Sequence, residues 1–500
     1  MKTWTIALLL STSLVAVAPC AGAQAFAPSA TGPIERAQRA YASGQPERAA
    51  DMLRRAAADS EKSGSYAEAI AALEALTQIQ HKQGRPADAG RSLERIHDLN
   101  LRLNGVESPE TIQAYRDVRD YYSATGMQAE SQAFLGREIK QREQALGPDH
   151  LSLAGMLMDL ANILSEQRQF AEAEPLNARA VSIREKALGE HPRTAASLYN
   201  LGITYSDLGK WPESVAAYNR ALAIYEKSAE EPADVARTLT NLGHVYLHTD
   251  QYPEGEQTMI RAIGLWEQIQ GAGGEAVALT AGNLGRLYLQ REEPWLAEPL
   301  LDRALRIAEQ NYGRQSLQAA KYAHLLSSAY SAQGKLDPAE ELCERAYAVW
   351  QATLSRGHRD LATGAACLAN VALRKNNFER AERFSREALE ISIAYASPHN
   401  AAASHNLAAL TSILIYGARL GEAQALLESY LPRLKSAYGA ESEWFAYRLA
   451  DYGHVCAKLD RRNEAQAAFE EAIRIIELRK GVEHAESRRI THDYATLVPD

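Results

Sequence analysis

Cysteine is scarce, with four residues in a chain of 500, and one of them, Cys20, falls in the N-terminal stretch. The other three, Cys343, Cys367 and Cys456, are too thinly spread for a disulfide framework. One Cys343–Cys367 bridge across neighbouring segments is left open. Phenylalanine is also rare, 7 residues against 23 tyrosines, so the apolar interior is built from Leu, Ala and Tyr divided among many small interfaces. No surplus of positive charge exists: 54 Lys and Arg face 63 Asp and Glu, for a formal charge of −9. That balance argues against nucleic acid or an anionic membrane surface as the main partner, since both reward a basic face. Beyond residue 18 no apolar run is long enough to span a bilayer. Period-two alternation, the mark of strands, is absent over any useful length. Also missing are HExxH, a Gly-Lys-Ser/Thr phosphate loop and GxSxG, so no catalytic residue is assigned and no cofactor is expected. Gly271-Ala272-Gly273-Gly274 follows no strand and reads as a turn, not a phosphate cradle. His244 and His248 stand four apart but have no acidic or Cys partner nearby in sequence, so no metal is expected there.

The N-terminus carries a secretory pattern. Lys2 supplies the positive start, Thr5 to Ala18 the apolar stretch, and Ala21-Gly22-Ala23 a small-residue cleavage site. Residues 1–23 therefore read as a signal peptide, and export to the periplasm of a Gram-negative bacterium is the expected destination. Pro19 fits poorly with lipid attachment at Cys20. Residues 24–33 (QAFAPSATGP) read as a flexible lead-in.

From residue 34 onward the chain repeats. Its clearest unit is RTAASLYNLGITYSDLGKWPESVAAYNRALAIYEKSAEEP, from Arg193 to Pro232. Leu198, Leu201, Gly202 and Tyr205 form one helical stripe; Val215, Tyr218, Ala221, Leu222 and Tyr225 form a second. Gly209 and Pro212 between them can end one helix and start the next. A small residue recurs early in each second helix: Ala49, Ala89, Ser131, Ala173, Ser214, Gly255, Ala297, Ala339, Ala381, Ala423 and Ala465, in steps of 40 to 42. A larger side chain there would hold the paired helices apart. Arg-Ala pairs keep the same step at Arg179, Arg220, Arg261, Arg303 and Arg345. The expected repeats span 34–64, 65–108, 109–149, 150–191, 192–232, 233–274, 275–313, 314–358, 359–399, 400–440 and 441–482, with a capping helix and tail at 483–500. This count leaves no room for a separate catalytic domain.

These residues resemble the tetratricopeptide repeat family, in its longer form of about 42 residues found in kinesin light chains and many bacterial proteins. The pattern Leu-Gly, Tyr, Gly, aromatic, small, Ala is met by Leu201-Gly202, Tyr205, Gly209, Trp211, Ser214 and Ala221. Leu242-Gly243, Tyr246, Tyr252, Gly255 and Ala262 repeat it. The resemblance implies an all-α, right-handed superhelical solenoid of about 11 antiparallel hairpins plus a C-terminal cap. It also implies a concave groove lined by first helices, in which partners lie as peptides or helices.

Counting round from Leu201 and its equivalents gives groove residues whose charge changes sign along the chain. Glu74, Asp117, Asp120, Glu166 and Asp207 come early, with Arg116 as the exception. Arg237, His244, His248, Arg286, Lys321, His324, Arg374 and His405 come later. Asn200, Asn241 and Asn283 recur one position further round. Asn amides can pair with an extended backbone, and Arg or Lys with carboxylates. The expected function is a non-enzymatic scaffold holding a protein or peptide, acidic or carboxylate-bearing, in that groove. Two alternatives remain: a homo-oligomer whose groove is filled by a neighbouring chain or its own N-terminus, and a small-ligand binder or enzyme on the helices. Trp266, Trp295 and Trp350 are expected toward the outside.

Overall fold

The computed structural model describes residues 32–228, 232–396 and 401–498. The expected signal peptide and most of the expected lead-in lie outside the described residues. Within these, the chain is helical throughout and contains no strand. Eleven helix pairs follow one another: α1 (Pro33–Ala42) with α2 (Pro46–Lys62), α3 (Tyr66–Lys82) with α4 (Pro86–Asn104), α5 (Pro109–Thr125) with α6 (Gln128–Leu146), and α7 (Ser152–Glu166) with α8 (Phe170–Leu188). Then come α9 (Pro192–Asp207) with α10 (Trp211–Ser228), α11 (Pro232–Tyr246) with α12 (Tyr252–Gln270), and α13 (Glu275–Gln290) with α14 (Pro294–Tyr312). The last four pairs are α15 (Leu317–Ala332) with α16 (Leu336–Thr353), α17 (Arg359–Arg374) with α18 (Phe378–Ile393), α19 (Ala402–Tyr416) with α20 (Leu420–Tyr438), and α21 (Glu443–Lys458) with α22 (Arg462–Lys480). A single helix, α23 (Ala485–Leu497), follows and sets the fully buried Ile490 against the last pair.

The packing logic is local. All eleven small residues early in the second helices are buried, Gly255 and Ser214 included. First helices contribute a matching hollow. A Cβ on Gly202 would lie 2.8 Å from the Tyr218 ring, on Gly243 2.5 Å from Met259, on Gly285 2.6 Å from Leu301, and on Gly453 2.9 Å from Phe469. In every case the side chain filling the hollow stands sixteen positions later, on the partner helix. The Leu-Gly pair is therefore a socket for one large residue.

The chain divides into two compact units, Met1–Ser228 and Ala229–Asp500. Inside each, first helices of successive pairs touch: α7 against α9 in the first unit, and α11 against α13, α13 against α15 and α15 against α17 in the second. Successive second helices make no comparable contact among the described residues. First helices therefore form the inner layer of each unit.

The recurring arginines on the second helices have a structural cause. Arg179, Arg220, Arg303 and Arg345 each reach a glutamate near the end of the preceding second helix, Glu143, Glu185, Glu267 and Glu309. Lys210–Glu174, Lys335–Glu298 and Arg419–Glu382 make a second series. Such partly exposed pairs contribute about 0.2–1 kcal/mol each. Trp266 and Trp350 are buried, contrary to the expected outward placement, and the Trp266 indole donates to Thr240 Oγ1 at 3.0 Å. Only Trp295 of the three is open to solvent, at 61%.

Candidate functional site

The inner layer of the first unit is acidic and largely satisfied by its own residues. Tyr115 donates to Asp159 Oδ2 at 3.2 Å, Arg119 lies 3.5 Å from the same carboxylate, and Arg119 also holds Asp120 at 2.9 Å. Gln128 donates to Glu166 at 2.7 Å. Burial raises the carboxyl pKa of Asp159 and Asp207, and burial together with Asp117 raises that of Glu74. Asn200 is half-buried. Sequence reasoning passed over Tyr115, Arg119 and Asp159, because the first three repeats lack the Leu-Gly marker that fixes the frame and the fourth has Leu160-Ala161 in its place. It also passed over His97, Glu138 and Arg142, a buried trio on second helices in which Glu138 Oε2 lies 3.3 Å from His97 Nε2 and 3.7 Å from Arg142 Nε. Nothing in the periodicity distinguishes those three positions from apolar core.

The inner layer of the second unit is basic. Helix α11 supplies His244 and the turn after it His248, whose rings meet edge to face with centroids 5.1 Å apart. Arg286 on α13 stands one repeat further along the row of His244, and Lys321 on α15 lies over the Tyr322 ring at 5.5 Å. Half-buried Arg286 has neither a hydrogen bond nor an ion pair among the described residues, and burial lowers its pKa. A guanidinium taken from water without a counter-charge costs free energy, and the laddered cations elsewhere show how readily this chain pairs its charges. Burial, with Arg286, His248 and Lys321 adding repulsion, holds the His244 imidazole down to about 3. His248 is lowered by burial and then by Arg286. These four basic groups form one cluster.

The other candidates fall differently. Arg237 is tied to Asp234 at 2.7 Å, one turn back on its own helix. Asn241 is half-buried, and Asn283 is only 9% exposed, within the helix-packing layer instead of the open face. Arg374 donates to the Ser331 carbonyl and, at 3.2 Å, to Ser331 Oγ, and its side chain is exposed. His324 Nδ1 is buried without a partner, and desolvation holds that imidazole down to about 4.

Helices α15, α17 and α19 enclose an open cleft of about 560 Å³ between them. His324, Ser331, Asn370, Arg374, His405 and Asn406 supply its polar wall, and no carboxylate lines it. Cys367 on that wall is joined to Cys343 by a disulfide linking the eighth and ninth hairpins, with Cα atoms 6.0 Å apart. Cys456 is free and buried. Among the described residues no group of three or more His, Cys, Asp or Glu is placed to hold a metal, and no helix is long and apolar enough to cross a membrane.

Fold and inner face together define a class, stacked helical hairpins that within each unit present one side of their first helices. Sequence models of the tetratricopeptide repeat match residues 152–227, 234–310, 296–352 and 318–394, and a second such model matches 447–477. Together they cover more than half of the chain, which belongs to the tetratricopeptide repeat family. No curated protein matches it. Among solved structures, BtubC (BKLC) from P. vanneervenii is similar at 21% identity over 46% of this chain and 91% of that one, with a TM-score of 0.39. A putative kinesin light chain repeat protein from Podosopora anserina is 23% identical over 41% of this chain and 99% of that one, TM-score 0.37. The apo form of RapI is 16% identical over 61% of this chain and 97% of that one, TM-score 0.41.

Proposed function

We propose that this protein is a non-enzymatic interaction scaffold that holds an acidic segment of a protein partner against the first helices of its second unit. The observation that carries this reading is Arg286, a half-buried cation with no counter-charge among the described residues, in a cluster with His244, His248 and Lys321. An incoming carboxylate would replace the water that this guanidinium has lost and make charge-assisted hydrogen bonds to it. The acid-free cleft between α15 and α19 extends the same preference along the row. The disulfide supports the further reading that the chain works in an oxidising compartment, as an exported periplasmic protein would.

The test is a pair of charge reversals, R286E and K321E, made together. Capture of an acidic peptide should fall by more than tenfold, with helical content and melting unchanged; capture that survives both changes removes the assignment. A second copy of the chain is the alternative occupant, favoured by the acidic inner face of the first unit. Light scattering without added peptide separates the two, since a dimer dissociated by the double reversal identifies the second copy.

A further inference from the structure

We infer that the acidic segment is captured together with one proton, taken up by the His244–His248 pair, so that the inner face of the second unit binds more tightly as pH falls. This rests on the reading that Arg286 and Lys321 receive an acidic partner.

The geometry comes first. The two imidazoles stand edge to face, His244 on α11 and His248 in the turn that follows it, with the Arg286 guanidinium within electrostatic reach of both. Among the described residues, the charged groups within electrostatic reach of His244 are His248 in the turn after its helix, Arg286 on α13 and Lys321 on α15. Helix α12, packed on the other side, presents Met259 beneath Gly243 and the indole of Trp266. The α12 acids Glu256 and Glu267 are held by Arg291 and Arg303, each at 2.6 Å. Among the described residues no carboxylate offsets the field at His244, and its imidazole stays neutral.

A bound acidic segment reverses that situation. Its carboxylates cancel the repulsion from Arg286 and Lys321, so the charged ring becomes the stable form. Two imidazolium rings at 5.1 Å would repel each other, which limits the pair to one shared proton. The linkage sign follows: binding raises the proton affinity of the pair, so protons raise the affinity for the acidic segment. One fully coupled proton changes the dissociation constant by at most about tenfold per pH unit. The device makes the scaffold selective for partners encountered in mildly acidic surroundings.

The experiment uses the full mature chain and a synthetic hexaglutamate peptide as the probe, with calorimetry between about pH 7.5 and about pH 6. The expected result is a dissociation constant that falls by about three- to tenfold per pH unit, with net proton uptake read from the dependence of the heat on the buffer's ionisation enthalpy. The peptide's own carboxylates titrate lower, and their protonation would weaken binding as pH falls, the opposite sign. H244Q/H248Q should lose both the slope and the uptake. Binding of equal strength across the range with no proton uptake overturns this inference and leaves the groove assignment intact. No binding at any pH, or binding indifferent to R286E, overturns both.

Discussion

At the turn inside each hairpin one residue has a positive φ, the left-handed conformation that suits glycine. Five hairpins place glycine there, at Gly44, Gly84, Gly126, Gly209 and Gly334. The remaining six force the same geometry on Arg168 (φ 63°), Asp250 (54°), Glu292 (59°), Asn376 (60°), Ala418 (55°) and Asp460 (61°). An L side chain in that region costs about 1–2 kcal/mol, and glycine gives back about 0.5–1 kcal/mol of it through the entropy of the unfolded chain. Ala418→Gly should therefore stabilise the tenth hairpin by up to about 1 kcal/mol, and Gly209→Ala should destabilise the fifth by a similar amount. Denaturant melts of the two variants measure both, and a stabilising Gly209→Ala would show that the turn relaxes out of the left-handed region. The same turn explains why only part of the repeat frame is legible from glycine: the conformation recurs eleven times, the residue only five.

At the scale of the element, legibility follows how short-ranged the cause is. The small residue in each second helix announces itself because one volume restriction acts on one position, and the helix pairs can be read from it. The arginines at Arg179, Arg303 and Arg345 recur visibly, yet their purpose needs a partner 36 residues back, which a single stripe does not reveal. Groove residues are harder still. His244 and Arg286 are in register by repeat arithmetic, but that Arg237 is neutralised by Asp234 and that Asn283 is covered follow from side-chain placement. Tyr115 and Asp159, 44 positions apart, could not be paired without coordinates. The disulfide closes a separation of 24 residues between α16 and α17. Loop-closure entropy of that size is worth about 3 kcal/mol, and in a stack of repeats the effect stays near the staple. Reduction, or the Cys343→Ala/Cys367→Ala double variant, should cost the hairpins from α15 to α18 about that much, read as lost hydrogen-exchange protection there. Equal protection in oxidised and reduced protein would mean that the bond adds nothing to the packing already present.

For the whole molecule, histidine sets the order in which acid takes it apart. His244, His248, His324 and His405 all belong to the second unit, and burial lowers the pKa of each, His244 to about 3 and His324 to about 4 from an ordinary 6.5. Below pH 6.5 the unfolded chain binds protons at these rings and the folded chain does not. Their contribution to stability is therefore complete above that pH and is lost progressively as pH falls toward 4 and 3. In the first unit burial raises the carboxyl pKa of Glu74, Asp159 and Asp207, so their protonation favours the folded chain, and acid should loosen the second unit before the first. Hydrogen exchange at about pH 7 and about pH 5 is expected to show protection falling earliest across α11 to α19, and less in H244Q/H324Q. Adding hexaglutamate should restore protection on α11 and α13, because the acidic segment supplies the charge that the protonated rings lack. Loss that begins in the first unit, or that spreads evenly along the chain, would remove histidine from that role. His244 and His248 thus link two behaviours: without a bound acidic segment their protonation is destabilising, and with one the added proton turns into binding.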